Sequence, residues 1–136
     1  MTARVTVVGI GGDGWAGLDA ARRSAVLGAE VVLGGDRHLA MLPAEVSAEQ
    51  VPWTRPFREG VAEALARFAD RRIVALASGD PLVAGAGTTF VELLGAEAVE
   101  VLPAVSSVAL ARARMRWPAD SVAVLRDHRT LSRELA

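Results

Sequence analysis

Residues 73–81, Ile73-Val74-Ala75-Leu76-Ala77-Ser78-Gly79-Asp80-Pro81, decide the fold. The first five are apolar without alternation, as expected of a strand covered on both faces in a parallel sheet. A Ser-Gly-Asp-Pro loop follows at once, so the strand is cut off sharply. Upstream, Phe57, Val61, Leu65 and Phe68 recur at helical spacing, and downstream Thr89, Phe90, Leu93 and Leu94 form a second helical face. A buried strand between two amphipathic helices predicts an α/β domain with an open, mainly parallel sheet and flanking helices.

The same alternation runs outward to both ends. Val5–Val8 reads as a strand ending in Gly9-Ile10-Gly11-Gly12-Asp13-Gly14, and Leu18–Leu27 as a helix closed by Gly28 in a left-handed C′ conformation. Val31–Leu33 is a second strand. Asp36 is expected to cap a short helix through Met41, which Pro43 stops. Val51 and Trp53 mark a short strand, Val99–Leu102 another, and Ser121–Leu125 a last one. Ser106 or Ser107 caps a helix carrying Val108, Ala111 and Met115, and the charged stretch from Arg126 to Ala136 is expected to fray.

Composition narrows the chemistry. The 136 residues are 51% hydrophobic and 23% charged, which is enough for one core and too short for two full domains. Fifteen basic against sixteen acidic residues give a net charge of −1, which argues against a nucleic-acid binder. Every basic residue is Arg, so lysine Schiff-base and P-loop chemistry are excluded. There is no Cys, hence no thiol nucleophile or thiolate metal site, and two His make no metal centre. No apolar run reaches the roughly 18 residues of a membrane span, and no targeting segment is visible, so a cytoplasmic protein is expected.

Three loops carry the functional signal. Gly9-x-Gly11-x-x-Gly14 follows a strand, where glycines let backbone approach a ligand and exposed N–H groups meet negative charge. With Asp36 after the second strand, this permits a nicotinamide-dinucleotide reading, while a bare strand-to-helix turn explains the glycines equally well. Ser78–Gly87 and Pro103-Ala104-Val105-Ser106-Ser107 also lie at strand ends, and the three together outline a crevice. Arg37, His38, Arg55 and Arg58 are candidates for anionic substrate groups, since guanidinium pairs with carboxylate bidentately. Trp15, Trp53 and Trp117 read as packing or rim residues.

Taken in order, VVGIGGDGWAGL at 7–18, VVLGGDRHL at 31–39, ASGDPLVAGAGTTF at 77–90 and LPAVSSVALARARMRWP at 102–118 resemble the N-terminal domain of the tetrapyrrole methylases. Within that family the blocks are most similar to the precorrin-6Y C5,15-methyltransferase type. The resemblance implies a homodimer that binds S-adenosylmethionine (SAM) between two α/β domains and methylates a ring carbon of a precorrin in cobalamin biosynthesis. It implies SAM contacts from Gly9, Gly11, Gly12, Ser78, Gly79, Asp80, Val83, Ser106 and Ser107, with Asp80 the first carboxylate to test for a positioning role. Gly12-Asp13-Gly14 departs from the family's frequent Pro-Gly-Asp, which removes any implied acid role for Asp13.

Residues 1–118 are thus expected to form the methylase-like N-terminal domain, and 119–136 the start of a truncated second domain or a frayed tail. Because the family's second domain supplies the other wall of the SAM trough, weak SAM binding and no independent activity are expected. A dinucleotide-binding oxidoreductase domain and a non-catalytic assembly module are the alternatives.

Overall fold

The computed structural model describes residues 4–78, 86–104, 107–116 and 118. Five strands alternate with five helices: β1 (Val5–Ile10), α1 (Ala20–Leu27), β2 (Val31–Gly34), α2 (Asp36–Ala40), β3 (Glu49–Pro52), α3 (Phe57–Arg67), β4 (Ile73–Ser78), α4 (Ala86–Leu94), β5 (Val99–Leu102) and α5 (Ser107–Met115). A 3-10 turn, Gly14–Gly17, sits between β1 and α1. The sheet has the order β3-β2-β4-β1-β5, and all its pairings are parallel.

The uninterrupted apolar runs form the central strands because both faces of the sheet are covered. Val5, Val7, Ile73, Ala75 and Ala77 point to one side and pack with Val61, Leu65 and Phe68 around α3 and Phe90 of α4. Val8, Ile10, Val74 and Leu76 point to the other and meet Leu18, Val26 of α1 and the Leu39–Leu42 region. Successive residues of a strand face opposite ways, so a five-residue apolar run feeds both layers. At the edge, β3 has only Val51 half-buried, which is why its sequence signal is weak.

Connections that move in opposite directions along the sheet must use opposite faces if each crossover is right-handed. The path from β1 through α1 to β2 follows one face. The paths from β3 through α3 to β4, and from β4 through α4 to β5, return along the other. At the rim where the strands begin, Arg72 donates from Nε to the Gly28 carbonyl at 2.9 Å and from its backbone N–H to Glu30 at 3.2 Å. Arg71 pairs with the same carboxylate at 3.3 Å. These groups are solvent-exposed, so each adds little on its own.

Three local expectations are corrected. Gly28 is right-handed, φ −83°, with its N–H donating to the Ser24 carbonyl, because the chain turns into β2 from the last helical turn without reversing. Among the described residues the left-handed glycines are Gly14 (φ 62°) and Gly95 (φ 85°). Asp36 does not cap α2: Gly35 continues the extended path of β2 and takes the N-cap position, leaving Asp36 in the first turn. Finally, α1 starts after Leu18, which is buried in the core, and Asp19 caps it by accepting from the Arg22 N–H at 2.9 Å. The expected strand at Ser121–Leu125 lies outside the described residues.

Candidate functional site

All five strands run the same way, so the turns after them gather along one rim. The connection leaving β1 crosses one face of the sheet, and the connection leaving the adjacent β4 crosses the other. The helices that follow, α1 and α4, pack on opposite faces of the sheet, and open α/β sheets accept ligands in the crevice at such a reversal between adjacent strands.

The β1 side of this crevice is built by glycines. Gly9 is buried within β1 opposite Ala77, so it belongs to the sheet and the loop begins at Gly11. Gly12 is exposed, and a side-chain carbon there would meet nothing within 4 Å. Gly14 needs its glycine for another reason: its φ is positive, and a methyl would touch the Met41 thioether at 3.4 Å. The Asp13 carboxylate folds over Gly17 and fills the space a side chain would take there, so it braces its own loop. Arg23 closes the turn by donating to the Ala16 carbonyl at 3.0 Å and the Trp15 carbonyl at 3.3 Å.

On the β4 side, exposed Ser78 ends the strand, and its hydroxyl lies 3.4 Å from His38 Nε2 on α2. Two residues distant in sequence thereby meet at the rim. Half-burial lowers the His38 pKa below its ordinary value, with the Arg37 charge adding to the effect. The shift favours the neutral imidazole, which donates to or accepts from the serine according to its tautomer. Gly79, Asp80, Val83 and Ser106 lie outside the described residues. Ser107 is the first residue of α5. Ahead of α5, the Pro103 carbonyl accepts from the Arg22 guanidinium, through Nε at 2.9 Å and also through Nη2. Arg22 also pairs with Asp19 at 2.5 Å, so the first turn of α1 holds the chain leaving β5.

The three arginine candidates separate. Arg58 is tied to Glu92 across α3 and α4 at 2.5 Å. Arg37 is exposed on α2 beside His38. Arg55 is exposed and lines a pocket of about 560 Å³ with Gly35 and Asp36 of the β2–α2 turn and Pro52–Phe57 of the β3–α3 turn. Trp53 is fixed there by its backbone N–H, which donates to the Gly34 carbonyl at 3.0 Å, and by edge-on contact of its ring with Phe57 at 5.0 Å. Sequence reasoning named Asp36 and Arg55 separately and missed the pocket, because its two walls come from turns brought together only by β2–β3 pairing. Among the described residues no cluster of three His, Asp or Glu could hold a metal ion, and no helix is long and apolar enough to cross a membrane.

The family model of the tetrapyrrole (corrin/porphyrin) methylases matches residues 4–135. The chain belongs to the tetrapyrrole methylase family. It is 45% identical over 113 residues to the precorrin-6Y C(5,15)-methyltransferase [decarboxylating] of Mycobacterium tuberculosis (strain CDC 1551 / Oshkosh), a match covering 83% of this chain and 28% of that protein. Among solved tetrapyrrole methylases, the precorrin-6Y methylase from Archaeoglobus fulgidus superposes with a TM-score of 0.72 at 24% identity, over 89% of this chain and 62% of that one. The uroporphyrin-III C-methyl transferase from Thermus thermophilus, complexed with S-adenyl homocysteine, gives 0.58 at 30% identity over 78% and 46%. The chain thus spans less than a third of the mycobacterial enzyme it resembles.

Proposed function

We propose that this domain takes part in SAM-dependent methyl transfer to a ring carbon of a precorrin-type tetrapyrrole in cobalamin biosynthesis, as a cytoplasmic, homodimeric enzyme. The observation that carries the reading is that the helices following the adjacent strands β1 and β4 pack on opposite faces of the sheet, with an open glycine loop after β1, in a chain of this family. The bare approach at Gly12 suits a ligand that must lie close to backbone. SAM would supply a methyl group on a positively charged sulfur, already activated for transfer to an electron-rich carbon.

The chain's own residues then have to bind and orient. Gly11 and Gly12 admit the ligand to the backbone after β1. Ser78, and beyond it Gly79, Asp80 and Val83, would hold it from β4, with Asp80 as a positioning carboxylate. Arg22 sets the start of the stretch leading to Ser106 and Ser107 by fixing the Pro103 carbonyl. Alignment of two activated partners can by itself contribute on the order of 7–11 kcal/mol at ideal geometry. Such a reaction asks for no nucleophilic side chain, which agrees with a sequence lacking Cys and Lys.

Calorimetric titration with SAM and with NAD tests the reading. Saturable SAM binding, unaffected by Asp36→Ala, is expected. Tight NAD binding that Asp36→Ala abolishes, with no response to SAM, would overturn it in favour of a nicotinamide-dependent domain. Sedimentation equilibrium should find a dimer.

A further inference from the structure

The pocket between the β2 and β3 ends lies off the β1–β4 crevice, and the methyl-donor reading makes no use of it. Its two walls differ in chemistry. From the β3–α3 turn come Trp53, Phe57 and the exposed Arg55, which has no ion pair or hydrogen bond among the described residues. From the β2–α2 turn comes Asp36. The indole packs against Phe57 at 5.0 Å and Phe90 at 6.1 Å, so the apolar wall is backed by other rings. At about 560 Å³ the pocket falls in the range of small-ligand sites, roughly 300–1,000 Å³, yet a ring of four pyrrole units with all its arms exceeds it. What enters is one edge of a larger molecule.

We propose that this pocket is a specificity subsite for one carboxylate-bearing arm of the tetrapyrrole acceptor, with Arg55 taking the carboxylate and Trp53 covering the adjoining apolar ring edge. The proposal rests on the functional reading above and adds where the acceptor is gripped and what it must carry. A planar guanidinium meets a carboxylate through two parallel N–H donors. An amidated arm offers one acceptor oxygen and no charge, so it gains less. Asp36 sets the limit on the other side: it opposes a second negative charge, so the pocket takes a single carboxylate in preference to a phosphate or a pair of acids. The indole and the guanidinium follow each other within Trp53-Thr54-Arg55, which suits an acid on a short chain attached to a flat ring.

Calorimetry with two corrinoids in the dicyano form, where cobalt has no vacant axial position, tests the assignment on the whole chain. Cobyrinic acid carries free carboxylates, and cobinamide carries amides. The wild type should prefer the acid. Arg55→Gln should weaken cobyrinic acid about tenfold and leave cobinamide unchanged, the size expected for a charge-assisted pair near solvent. Arg55→Lys should recover only part of the loss, because charge returns without the two-pronged geometry. Asp36→Asn should tighten the acid about threefold.

Equal binding of cobyrinic acid by wild type and Arg55→Gln overturns the subsite, as does a wild type that binds neither corrinoid. A SAM titration of the same samples reports separately on the methyl-transfer reading. Arg55 is exposed, so melting curves should coincide for wild type and variant, and a loss of binding then belongs to the pocket.

Discussion

Gly12 and Gly14 are two residues apart in one loop, yet substituting them should have opposite consequences. At Gly14 a side chain would have to adopt positive φ and press on Met41. Gly14→Ala is expected to destabilise the fold by about 1–2 kcal/mol, read from denaturant melts. At Gly12 there is open space and no left-handed backbone, so Gly12→Ala should leave stability within about 0.5 kcal/mol while weakening SAM binding. An unchanged SAM affinity would remove Gly12 from the ligand contact. His38 offers a test of sign. Its pKa is lower folded than unfolded, so the unfolded chain takes up the proton first. Stability should therefore be level above the unfolded value near 6.5 and fall as pH drops below it. Thermal melts at pH 7.5 and 5.5 should show this slope, and His38→Gln should flatten it.

Among the elements, α4 hangs on one large side chain. Phe90 is fully buried between that helix and the sheet, where Trp53 also reaches it. Phe90→Ala should cost about 3–5 kcal/mol, measurable by urea unfolding. The helix was readable in advance because Thr89, Phe90, Leu93 and Leu94 repeat at its period, and β4 because five apolar residues in a row have few other uses. Other details were hidden for physical reasons. The handedness of Gly28 depends on how the chain enters β2, which spacing does not encode. Asp36 looked like a cap until Gly35 took the position by continuing the strand. Of the candidate site, the glycine loop and Ser78 stood at strand ends as expected. The Ser78–His38 contact, the Arg22 tie to Pro103 and the Trp53 pocket needed strand order, which no local pattern specifies.

Across the whole molecule, protection should follow position in the sheet. The central strands β1 and β4 are buried on both faces and paired on both edges, whereas β3 is an exposed edge. Among the strands, amide hydrogen exchange should be slowest at Val7, Val8, Ala75 and Leu76 and fastest at Glu49, Gln50 and Val51. A β3 protected as well as β1 would mean that something further covers that edge.

The strand order also bears on how the chain is made. β1 leaves the ribosome first, but its two neighbours are β4 and β5, so Val5 has no partner until Ile73 has been synthesised. β2 and β3, by contrast, can pair with each other as soon as both have emerged. A strand that ends up buried on both faces therefore waits through synthesis of α1 to α3 before it can join a sheet. Long-range parallel pairing of this kind is slow and prone to aggregation. Synthesis rate and chaperone supply, more than the stability of the finished fold, should then govern how much native protein a cell obtains.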